Sequence, residues 1–120
     1  MNVTIRHVGY VTILDCDGKL SLGEGTIPLR NEVRKCIKNE RKNLILNLEN
    51  VNYIDGSGLG ELVNSFTTVH NSKGHLILLR VSRKIRELLE VTKLLVIFDI
   101  FDDEKAALDS FVEKELGSWL

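Results

Sequence analysis

Residues 44–70 read LILNLENVNYIDGSGLGELVNSFTTVH. Leu44, Ile45, Leu46 and Leu48 form an almost unbroken apolar run, the pattern of a strand covered on both faces. Asn50 and Asn52 break that run, and Tyr53 and Ile54 lead into Asp55-Gly56-Ser57-Gly58-Leu59-Gly60. From Leu59 the period turns helical. Leu59, Leu62, Val63, Phe66 and Val69 share one face, with Glu61, Asn64, Ser65, Thr67 and Thr68 on the other. Strand, polar glycine loop and amphipathic helix follow one another directly. The loop therefore stands at the positive end of a helix dipole, with backbone N–H groups free to donate.

Upstream of this unit, Val3, Ile5, Val8, Val11, Ile13 and Leu14 read as strands, with Gly9 offering a hairpin turn. Asp17-Gly18 predicts a second turn, followed by a short strand near Lys19–Leu22. A helix is expected from about Thr26 to Asn39. Thr26 can cap it, Pro28 is tolerated in its first turn, and Leu29, Val33, Cys36 and Ile37 form the buried stripe. Downstream, Asn71-Ser72-Lys73-Gly74 is a helix stop and His75–Val81 a buried strand. Ser82 can cap a helix with Ile85, Leu88 and Leu89 inward. Val96, Ile97, Phe98, Ile100 and Phe101 predict a last short strand. Asp102 or Asp103 then caps a final helix with Leu108, Phe111 and Val112 inward, and Leu116, Trp119 and Leu120 carry the apolar character onward. Strands first, then β-α alternation, predict an α/β fold with a mixed central sheet and about four helices packed on it.

A chain of 120 residues fits a single domain over 1–120, and 43% hydrophobic residues suffice for a core. A formal charge of −1 and a pI near 6.3 lack the basic surplus of a nucleic-acid binder. Cys16 and Cys36 do not make a disulfide framework, and Cys36 reads as a reduced core thiol. No basic-then-apolar leader is visible at the N-terminus. The longest apolar run, Leu94–Phe98, is far short of the roughly 20 residues that cross a bilayer. A soluble, cytoplasmic protein without a membrane partner is expected.

The loop fits no enzyme motif well. A dinucleotide fingerprint needs glycine where Glu61 stands, and no acid ends the following strand, where Leu78, Leu79 and Arg80 sit. A P-loop needs Gly-Lys-Ser/Thr, which is absent, and a nucleophile elbow needs glycines where Asp55 and Leu59 flank Ser57. His7, His70 and His75 show no metal-ligand spacing, so neither a metal nor a cofactor is expected. Arg80 with Arg83, Lys84 and Arg86, and Asp99 with Asp102, Asp103 and Glu104, read as solvated charge at helix ends; the basic group could also help a partner dock. Two readings of Ser57 remain open. It can cap the helix, as serine does well, or it can be an exposed hydroxyl on a recognition surface. Asp55 can likewise bond turn N–H groups.

The run NLENVNYIDGSGLGELV resembles the STAS domain, the family of anti-sigma factor antagonists, and the resemblance extends over nearly the whole chain. In that family the strand ends in an Asp-Ser-Ser-Gly-Leu-Gly-like turn. The residue after the Asp is usually the serine or threonine that is phosphorylated. Here that position is Gly56, and the serine, Ser57, follows one place later. Gly18-x-Leu20 also fits the family, in which the next residue is often an acid beside the loop; here it is Ser21. The resemblance implies a protein that binds a serine-kinase-type anti-sigma factor and so frees a sigma factor. It implies a substrate of kinase and phosphatase, not a catalyst. Ser57 is then the candidate phosphorylation site, and Ser21, Asp55, Gly56, Ser57, Gly58 and Leu59 are the candidate partner-binding residues, with the Ser21–Gly25 loop beside them. The alternatives are a STAS scaffold whose loop stays unmodified and a STAS domain that senses a small nucleotide.

Overall fold

A computed structural model describes the backbone of residues 1–117 and the side chains through Lys114. The expected apolar contribution of Leu116, Trp119 and Leu120 lies outside those described side chains. Five strands form one sheet in the order of the chain: β1 (Asn2–Val8), β2 (Val11–Leu20), β3 (Asn43–Ile54), β4 (His75–Leu79) and β5 (Asp99–Phe101). β1 and β2 are an antiparallel hairpin, turned at Gly9 with φ +61°. β2 to β5 run parallel. Parallel neighbours need crossovers, and α1 (Thr26–Lys38), α2 (Gly56–Asn71) and α3 (Arg83–Val91) supply them. A fourth helix, α4 (Glu104–Gly117), follows β5. The mixed α/β architecture expected from the strand and helix order is the one found.

The strand alternation explains the two layers. Leu14, Leu44, Leu46, Leu76 and Leu78 pack with Leu29 and Val33 of α1, Leu62 and Val69 of α2, and Ile85 and Leu89 of α3. The intervening Ile13, Ile45, Ile77 and Leu79 point the other way and meet Ala107 and Phe111 of α4. A continuous apolar run is what a strand buried on both faces requires. Phe66 lies half-buried on the core, edge-on to Phe98 with ring centroids 5.7 Å apart.

Several local expectations change. Asp17-Gly18 is not a turn. β2 runs on through it as a bulged strand, its register against β3 slipping between Asp15 and Asp17 and again between Gly18 and Lys19. Gly18 absorbs the irregularity at φ +123°. Asn50 and Asn52 break the apolar run without interrupting β3. They face solvent while Val51 and Ile54 remain buried, because this half of the strand pairs with β2 alone. β4 stops at Leu79, where Arg80 enters the left-handed region at φ +55°. Val96 and Ile97 belong to a 3₁₀ turn, Leu95–Ile97, with Val96 exposed, and only Asp99–Phe101 pair as a strand. Ser82 caps α3 through Ile85 N at 3.2 Å, and Asp103 caps α4 through Ala106 N at 2.9 Å. Val112 is exposed, and Ala107 and Ser110 are buried in its stead.

Candidate functional site

β2 and β3 end side by side, and two helices begin where they end. Asp55, not Ser57, caps α2. Its Oδ1 accepts from Gly58 N at 2.8 Å. Its Oδ2 accepts from Leu22 N at 3.2 Å and so ties the loop after β2 to the start of α2. With the cap at Asp55 the helix begins at Gly56, three residues before the apolar period becomes visible. Ser57 thus sits in the first turn, exposed, outside the cap it was weighed for.

Loop 21–25 closes over the same point. The Ser21 carbonyl accepts from Gly25 N at 3.0 Å and Thr26 N at 3.2 Å. Thr26 does not cap α1; it is buried as the first helical residue, and its Oγ1 accepts from Gly23 N at 2.9 Å. The position before the helix is Gly25, whose backbone lies against Lys19 and Leu20 so closely that a Cβ would collide with the Lys19 carbonyl. Gly58 approaches the other side of the same residue, and a Cβ there would run into the Leu20 carbonyl and come within 2.8 Å of the Ile54 side chain. Both helix starts are therefore set by contact with the end of β2, which only glycine permits.

Of the residues expected at the site, the structure brings Ser21, Asp55, Gly56, Ser57, Gly58 and Leu59 together. It divides them by depth. Gly58 and Leu59 are buried and Ser21 and Asp55 half-buried; Gly56 and Ser57 face out. The outward face continues along α2 through Gly60 and Asn64, and carries no charge. Three large apolar side chains surround it on neighbouring elements: Leu22 (76% exposed) on the loop, Ile27 (51%) on α1 and Tyr53 (44%) at the end of β3. The sequence reading did not name Gly60, Asn64 or Ile27 as site residues, and it included Leu22 only as part of the Ser21–Gly25 loop. Starting the helix at Gly56 would have placed residues 56, 60 and 64 on one face by their spacing of four.

Glu61 and Ser65 were expected on the solvent face and are buried instead. α1 covers them. Glu61 Oε1 accepts from Arg30 Nε at 2.8 Å, while Oε2 accepts from Asn64 Nδ2 at 3.1 Å and from Ser65 Oγ at 3.3 Å. This cluster joins the two helices one turn behind the exposed loop. Elsewhere several charged groups pair within the fold. Arg6 bridges Asp15 and Glu104, and Asn47 donates to Asp15 at 2.8 Å. Arg80 reaches Glu49 at 3.4 Å, and Asp99 pairs with Lys114 at 3.4 Å. Among the described residues no three His, Cys, Asp or Glu gather as a metal site requires, and no helix is long and apolar enough to cross a membrane.

The arrangement is thus a neutral, glycine-opened helix start beside exposed apolar side chains, without convergent acid, base and nucleophile. Comparison with known proteins gives the family. Residues 2–107 match the family model of the STAS domain. The anti-sigma F factor antagonist of Paenibacillus polymyxa is 24% identical over 109 residues, 90% of this chain and 92% of that protein. The anti-sigma-B factor antagonist of Staphylococcus aureus is 34% identical over 70 residues, which span 58% of this chain and 65% of that protein. A Thermotoga maritima crystal structure, of a protein provisionally assigned as an anti-sigma factor antagonist, superposes with a TM-score of 0.83 at 25% identity, covering 90% of this chain and 92% of that one. With its matched span running from the first strand into the last helix, the chain belongs to the STAS domain family.

Proposed function

We propose that this chain is an anti-sigma factor antagonist: a non-catalytic cytoplasmic protein that binds a serine-kinase-type anti-sigma factor and so releases a sigma factor. The observation that carries the reading is the uncharged face of Gly56, Ser57, Gly60 and Asn64, set beside exposed Leu22 and Ile27. Glycines at two of these positions let a partner's backbone approach closely, and the apolar side chains supply area to bury. The named relatives support the same partner class.

Ser57 is the residue at which a kinase could switch this surface. Its hydroxyl is exposed in the first turn of α2, where a phosphate is tolerated by the helix dipole. The phosphate would bring about −1.5 to −2 charges onto a neutral face and repel a partner fitted to it. A phosphatase would restore binding. Gly56, which has no hydroxyl at the family's usual acceptor position, favours a second reading, in which the loop stays unmodified and binds a constant partner. Incubation with the cognate kinase and ATP, followed by tandem mass spectrometry, separates the two. Phosphate on Ser57 supports the switch; no modification, with partner binding intact, overturns it and leaves the scaffold.

A further inference from the structure

At the far end of the sheet from the α2 loop lies a groove of about 280 Å³ between β1 and the C-terminal end of α1, lined by Ile5, His7, Glu32, Lys35, Cys36, Asn39 and Arg41. β3 starts beside this groove and ends at Ile54, just before the α2 loop, and α1 runs between the same two ends of the sheet, about 20 Å at 1.5 Å per residue. We propose that this groove binds a small organic carboxylate.

The charge pattern is the first argument. Lys35 and Arg41 line the groove against a single carboxylate, Glu32, and His7 adds two ring nitrogens. Among the described residues, neither Lys35, Arg41 nor His7 forms an ion pair. Arg41 is half-buried, and one guanidinium nitrogen donates to the hydroxyl of buried Thr12 at 3.4 Å. His7 Nδ1 meets the same hydroxyl at 3.2 Å. Thr12 thereby sets the inner end of both side chains and leaves the rest of the planar fork for an anion, whose two oxygens it matches.

The negative end of the α1 dipole opposes this field, and the two cations have to outweigh it. Three of the last four carbonyls of α1 accept within the chain. Cys36 O accepts from Arg41 N at 2.8 Å, Lys35 O from Asn39 N at 3.1 Å and Ile37 O from Glu40 N at 3.0 Å. The floor is apolar. Ile5 packs on the core and Cys36 is buried, its thiol pushed up above the ordinary value by burial and by Glu32, hence neutral. A cationic rim over an apolar floor suits a carboxylate attached to a compact hydrophobic body, and the volume, just under the roughly 300 Å³ at which ligand pockets begin, limits that body to a small one.

Titration of the ¹⁵N-labelled full chain with sodium benzoate, followed by amide shifts, tests the assignment, with inorganic phosphate as the ring-less comparison. Saturable shifts at Ile5, His7, Cys36 and Arg41 are expected, with phosphate binding more weakly. Lys35→Gln and Arg41→Gln should each weaken benzoate by about fivefold or more. Lys35 is exposed, so its variant keeps the test valid even where loss of the Arg41–Thr12 contact disturbs folding. Unsaturable or uniformly spread shifts, equal affinity in Lys35→Gln, or phosphate binding as tightly as benzoate overturns the proposal.

Discussion

Glu61 of α2 is 2% exposed, and its carboxylate accepts from Arg30 of α1 at 2.8 Å. The Arg30 side chain is 41% exposed, so one partner of this pair is buried and the other reaches water. The contact fixes the angle between the two helices whose first turns carry Ile27 and Ser57. Burial of a carboxylate is costly unless its oxygens are satisfied, and here Asn64 and Ser65 complete the set.

Arg30→Ala should therefore destabilise the fold by about 1–3 kcal/mol, the cost of stripping a donor from a buried acceptor. Urea unfolding at neutral pH measures it. The double variant Arg30→Ala with Glu61→Leu should lose less than the two single variants together, since the orphaned charge is gone. Strict additivity would show that the pair does not couple the helices.

Asp55 holds two backbone donors at once, Gly58 N in its own helix and Leu22 N across the loop. Asp55→Ala removes both and should cost about 1–2 kcal/mol, in the range of a lost helix cap. Hydrogen exchange gives a sharper readout: the Leu22 and Gly58 amides should lose protection while those of β4 keep theirs. Asp55→Asn retains one acceptor oxygen and should restore the cap but not the Leu22 contact.

Gly58 and Gly60 of α2, one buried and one exposed, should answer oppositely to the same substitution. At Gly58 a Cβ collides with the Leu20 carbonyl, whereas at Gly60 nothing lies within 4 Å. Gly58→Ala should unfold or strongly destabilise the chain. Gly60→Ala should stabilise it by about 0.5–1 kcal/mol through helix propensity. Thermal melts of both variants decide the matter, and a stable Gly58→Ala would refute the close packing of α2 on β2.

The Arg6 hydrogen bonds hold the Asp15 carboxyl below its usual range, with Asn47 assisting and desolvation opposing. A depressed folded pKa means that the ionised form stabilises the fold. That contribution is complete above the unfolded pKa, about 4, and is lost as pH falls through the folded value. Wild type should thus exceed Asp15→Asn in urea stability by a constant margin above about pH 5, and the margin should shrink at lower pH. A margin that grew toward acid would contradict the Arg6–Asp15 assignment.

How far the chain could be read in advance depended on who supplies the burial. The apolar run Leu44–Leu48 and the stripe Leu62–Val63–Phe66–Val69 announce their elements because the sheet buries them, and period alone shows that. Glu61 misled because its partner, Arg30, lies 31 positions earlier and no local pattern records a helix lying alongside; Ser65 is buried with it and bonds to Glu61. Asp17-Gly18 looked like a turn because the dipeptide favours one; β3 on the other side kept the strand extended. At the site, the residues of the loop were legible and their depth was not. The close approach of Gly58 to Leu20 turns a residue that reads as flexible into one of the most constrained positions in the chain.

Calorimetric titration of the proposed partner, a serine-kinase-type anti-sigma factor, with the purified chain, wild type beside Gly60→Arg, tests the docking claim most directly. Gly60 opens onto free space and arginine is a good helix former, so the variant should fold at least as well as wild type. The account predicts saturable binding by wild type and a loss of tenfold or more in Gly60→Arg, about 1.4 kcal/mol. Equal affinity for the two proteins would contradict it.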